Sequence, residues 1–154
     1  MNERVAQTLV DETIDTLEKL AFIFAESEDD MDQFADAERI TVSADFSGPC
    51  SGALVMEFGV DGLSELAANM LGLDEDEPIS EEEQRDALKE ALNIICGNVL
   101  PAIAGSEAVF SIASPLLTEG PYGGDTTAAK AVARLTLDDG FIILYLFSDG
   151  DLPE

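Results

Sequence analysis

Residues 80–101 read SEEEQRDALKEALNIICGNVLP, and the periodicity of this stretch decides how the rest of the chain folds. Leu88, Leu92, Ile95 and Val99 recur at spacings of four, three and four, the mark of one buried helix face. Ser80 followed three residues later by Glu83 forms a capping box that opens this helix. Glu81, Glu82 and Glu83 place negative charge where the helix dipole favours it, so the run needs no functional explanation. Asp86, Glu90, Asn93 and Gly97 repeat at the same spacings on nearly the opposite face, which predicts that Asn93 is displayed to solvent. Asparagine is a poor helix-interior residue because its amide competes for backbone hydrogen bonds. Pro101 lacks the N–H that would bond the Gly97 carbonyl, so the helix is expected to loosen there, with Asn98 satisfying the freed backbone groups.

Working outward, residues 2–26 read as a first long helix with Val5, Leu9, Leu17, Leu20 and Phe24 on its apolar stripe, ended by the acidic tract 26–30. Residues 38–46 alternate at Ile40, Val42 and Ala44 as a half-buried strand, and 54–60 form a more buried one. A short helix over 62–71 is stopped by Gly72, and 74–78 is a charged linker. After the second long helix, 108–117 reads as a strand interrupted at Pro115, and 120–125 (GPYGGD) as a flexible loop with Tyr122 at its tip. Residues 129–137 and 141–147 pair as a hairpin across Asp138-Asp139-Gly140. The apolar run 141–147 (FIILYLF) serves either as sheet core or as a dimer edge. The expected fold is α+β: one domain over 1–154, with two long helices on one face of a five- or six-stranded, mostly antiparallel sheet. Its helix-strand-strand halves look duplicated.

Composition narrows the function. The formal net charge is −26, from 33 acids against 7 Lys plus Arg, so phosphate backbones and anionic lipid surfaces are repelled. Nucleic acid and membrane are therefore not expected as partners, and the default location is the cytoplasm. The acidity fits equally a salt-rich cytoplasm or an acidic surface without such meaning. There is no histidine, which excludes His-dependent triads and most zinc sites. Cys50 and Cys96 are expected to be free thiols. The tract 74–77 has carboxylates but not the spaced ligands of a calcium loop, and GPYGGD lacks the sequel of a phosphate-binding loop. No metal or cofactor site is expected on this chain.

A bare Glu-x-x-Asn on a helix is weak evidence for a site, since an ordinary solvated face explains it adequately. Asp86, Glu90 and Asn93 together, followed by Gly97-Asn98, carry more: the stretch resembles the signature helix of the CheC/CheX/FliY family. Members of that family are phosphatases acting on the phosphorylated response regulator CheY. The resemblance implies Glu90 and Asn93 as catalytic residues, with Asp86, Gly97 and Asn98 in support. It also implies a CheY-type regulator as substrate, phosphorylated on aspartate, whose own pocket supplies Mg²⁺. Asn93 would orient the attacking water, since an amide donates and accepts without adding charge. Glu90 would pair with a regulator lysine and fix the approach. Thr8, Glu12 and Asp15 repeat the spacing in the first helix, but an acid stands where the amide belongs, as in a lost second site. CheX-like members carry one site and pair as homodimers, so the resemblance leans to CheX. The alternative is a module on the same scaffold that docks a response regulator or flagellar-switch component without hydrolysing anything.

Overall fold

A computed structural model describes residues 3–74 and 77–149. Helix α1 spans Glu3–Ala21, α2 Leu63–Leu71 and α3 Glu81–Ala104. The strands are β1 (Glu26–Ser27), β2 (Arg39–Ser47), β3 (Gly52–Gly59), β4 (Ser111–Ile112), β5 (Leu116–Glu119), β6 (Ala131–Leu137) and β7 (Gly140–Ser148). They form one sheet in the order β1-β6-β7-β3-β2-β4, with β5 also paired to β2, and all of these pairings are antiparallel. The sheet thus has seven strands, because the two-residue β1 and β4 are too short to carry an alternation pattern. The hairpins β2–β3 and β6–β7 meet back to back along β3 and β7, from Gly52 opposite Ser148 to Phe58 opposite Ile142. Each hairpin follows a long helix, which is the duplicated order expected from the sequence.

The helices cover one face of the sheet. Val5, Leu9 and Leu17 of α1 and Leu88, Leu92, Ile95 and Val99 of α3 are buried in one core with Val42, Met56, Leu144 and Leu146. Alternation turns the neighbouring strand residues Thr41, Glu57, Ile143 and Tyr145 to the other face. There Arg39 Nη1 donates to Glu57 Oε1 at 2.8 Å, and the Tyr122 backbone N–H donates to Glu57 Oε2 at 3.1 Å. The Tyr122 ring packs on Tyr145 and Phe147, and Phe34 stacks on Phe141. GPYGGD is therefore not a free tip: its tyrosine is spent on covering the sheet. Burial, with the Glu57 carboxylate beside it, pushes the Tyr145 hydroxyl pKa up.

The end of α1, the place of β7 in the sheet and the strand expected over 108–117, which is the two short strands β4 and β5, differ from the sequence reading. Helix α1 stops at Ala21, because Phe22 turns into the left-handed region (φ 54°); Phe24 is then exposed, while Thr13 and Thr16 are buried instead. Asn69 of α2 donates to the Ala21 carbonyl at 2.6 Å, satisfying one of the groups orphaned at that helix end. Strand β7 is paired on both sides, with β6 and β3, so FIILYLF is central core and cannot be a dimer edge. Helix α2 ends as expected, at Gly72 in the left-handed region (φ 70°). The linker 74–78 lies partly outside the described residues. Helix α3 is long and apolar enough to cross a membrane by length and composition, but its apolar residues are packed on the sheet.

Candidate functional site

Helix α3 presents the candidate residues because its N-terminus is capped and one face is anchored. Ser80 Oγ accepts from the Glu83 N–H at 3.1 Å, and the Glu83 carboxylate accepts from the Ser80 N–H at 3.2 Å, closing the predicted capping box. Leu88, Leu92, Ile95 and Val99 are fully buried. Asp86, Glu90, Asn93 and Gly97 are all exposed, so the stripe read from spacing is a real outer face. A Cβ added at Gly97 would meet nothing within 4 Å, which leaves an open step one turn beyond Asn93.

The face carries an acid and a neutral amide three residues apart, both exposed to solvent. A groove of about 500 Å³ near the start of α3 is lined by Arg39, Ile40, Leu63, Arg85, Glu119 and Pro121 among others, and neither Glu90 nor Asn93 borders it. Small-molecule sites are concave and bury most of their ligand. An exposed helix face suits a partner that brings its own pocket and inserts the helix side chains into it. Among the described residues no group of His, Cys, Asp and Glu is placed to hold a metal ion.

Asn98 behaves otherwise than expected. Its Nδ2 donates to Thr16 Oγ1 of α1 at 2.9 Å, and Thr16 Oγ1 donates on to the Glu12 carbonyl at 2.7 Å. The amide thus joins the two long helices; it is not spent on the backbone freed by Pro101. The only sequence hint was a threonine at a position that the α1 stripe buries. On α1, Thr8 and Glu12 are half-buried, and Asp15 holds Lys19 in a surface ion pair at 3.0 Å. Asp15, which stands at the position of that spacing corresponding to Asn93, thus has a cation of its own. Arg85, a turn before Lys89 on α3, pairs with Glu119 of β5. Cys50 and Cys96 are free, as expected, and burial raises the Cys96 thiol to about 12.

Comparison with known proteins settles the family. Residues 40–136, well over half of the chain, match the family model described as chemotaxis phosphatase CheX. The chain belongs to the CheX family. The CheX-like fold extends over nearly the whole molecule. A chemotaxis protein CheX from Vibrio vulnificus superposes with a TM-score of 0.74 at 16% identity, over 94% of this chain and 96% of that one. The CheX of a CheX-CheY-BeF3-Mg complex from Borrelia burgdorferi gives 0.60 at 14% identity, over 94% and 97%. FliY from Thermotoga maritima gives 0.60 at 13% identity, over 96% and 91%. At these identities the structures speak for the fold alone. No curated protein matches the chain.

Proposed function

We propose that this CheX-family chain hydrolyses the aspartyl phosphate of a CheY-type response regulator, using Asn93 and Glu90. The observation that carries the reading is the joint exposure of these two side chains on one face of a helix whose other face is locked in the core. That a related fold is known in complex with CheY, BeF3 and Mg supports the choice of partner. In this reading the regulator supplies the reacting phosphoryl group, the Mg²⁺ and the charge clamp. Asn93 enters the regulator's pocket and holds a water in line with the phosphorus. The water oxygen bonds to phosphorus as the bond to the aspartyl oxygen breaks; the regulator's carboxylate is regenerated and the water's proton leaves with phosphate. Such transfers depend on placement and electrostatics, so a chain without histidine can carry them out. Glu90 forms an ion pair with a regulator lysine and sets the depth of insertion. Pairing as a homodimer, also implied by the resemblance, would have to use a surface other than β7.

The test is phosphate release from an acyl-phosphorylated CheY-type regulator across a range of regulator concentrations, with wild type and Glu90→Ala. Wild type is expected to accelerate release, and Glu90→Ala chiefly to raise KM. Equal rates with and without the wild-type protein would refute the reading.

A further inference from the structure

Helix α3 has one weak turn, and it lies just beyond Asn93. Pro101 supplies no N–H to the Gly97 carbonyl, and Gly97 is the residue least restrained by its own side chain. Between them stands Asn98, exposed itself, yet bonded through Nδ2 to the buried hydroxyl of Thr16. Thr16 uses its single hydroxyl proton on the Glu12 carbonyl, so the chain of donors runs from α3 through Thr16 into the α1 backbone without leaving an unmet partner. With 3.6 residues per turn, Asn98 lies about 140° around the helix from Asn93, off the face that meets the regulator.

We infer that the Asn98–Thr16 hydrogen bond is a positioning device, clamping the weak turn of α3 to α1 so that the Asn93 amide keeps its aim during hydrolysis. The inference rests on the proposed phosphatase reading. Because the clamp sits off the docking face, its loss affects turnover and leaves docking alone. Thr13, one turn earlier on the same buried face of α1, has a hydroxyl without a partner and serves as the internal control.

The experiment measures kcat and KM on a phosphorylated CheY-type regulator for wild type, Asn98→Ala, Thr16→Val, Thr16→Ser, the Asn98→Ala/Thr16→Val double variant and Thr13→Val, with Tm for each. Asn98→Ala and Thr16→Val are each expected to lower kcat about tenfold with KM unchanged, less than the hundredfold that a misplacement of about 1 Å can cost. The double variant should lose no more than either single one, as members of one contact do. Thr16→Ser, which keeps the hydroxyl, should restore the rate, and Thr13→Val should turn over like wild type. Full kcat in Asn98→Ala, additive losses, or losses that merely follow the unfolded fraction would overturn the clamp while leaving the phosphatase standing. Absence of turnover by wild type would instead defeat the phosphatase reading, and the clamp with it.

Discussion

Gly97 lies one helical turn beyond Asn93 on the exposed face of α3, and no described residue comes within 4 Å of a Cβ placed there. A helix-interior glycine costs roughly 0.5–1 kcal/mol relative to alanine. The chain accepts that cost where its own packing does not call for it, so the space is open to a partner's backbone or side chain.

Gly97→Ala separates these two effects. The variant is expected to raise Tm by a few degrees and, at the same time, to raise KM for the phosphorylated regulator several-fold. Thermal unfolding monitored by circular dichroism, together with steady-state kinetics, checks both. A stabilised variant with unchanged KM would show that the step is not used in docking.

The opposite face of the sheet depends on one buried charge. Glu57 and Arg39 side chains are 6% and 11% exposed, and Glu57 also receives the Tyr122 N–H. Removing one partner of such a pair typically costs about 3–5 kcal/mol, because the other charge is left buried and unpaired. Arg39→Met should therefore lower stability by about that much in urea unfolding, and the double variant Arg39→Met/Glu57→Met by much less. Since this pair lies across the sheet from the helices, the folded fraction should keep its kcat.

The two thiols should differ sharply. Cys96 is fully buried and its pKa is raised to about 12, whereas Cys50 is half-buried with a smaller upward shift. A thiol whose pKa is higher folded than unfolded stabilises the fold fully below the unfolded value, and that contribution is lost as pH rises towards the folded one. For Cys96 the window opens near the ordinary thiol range of about 8.5 and runs up to about 12. A thiol reagent at neutral pH should label Cys50 first and Cys96 only on unfolding. Cys96→Ala should flatten the alkaline loss of stability across that window.

Much of the fold could be read from spacing because the information was local. The faces of α3, its Ser80–Glu83 cap, the Gly72 stop of α2 and the alternation of Ile40, Val42 and Ala44 each depend on residues a few positions apart. The end of α1 could not be read this way. Phe22 and Phe24 continue an apolar pattern, and the turn at Phe22 puts a bulky side chain in a conformation that usually calls for glycine. Strand β1 exists only through its pairing with β6, more than a hundred residues along the chain. The face of the site was legible for the same local reason as the helix. The Asn98–Thr16 bond was not, since it joins residues 82 positions apart and appears only once the two helices are packed together.

The most direct measurement is the decay of an acyl-phosphorylated CheY-type regulator with wild type and with Asn93→Ala, alongside binding of each to the beryllofluoride-activated regulator. Wild type should speed the decay; Asn93→Ala should bind with similar affinity and leave the decay at its intrinsic rate. If Asn93→Ala accelerates decay as well as wild type, or if wild type binds without accelerating it, the amide is not the group that orients the water, and α3 serves only to dock.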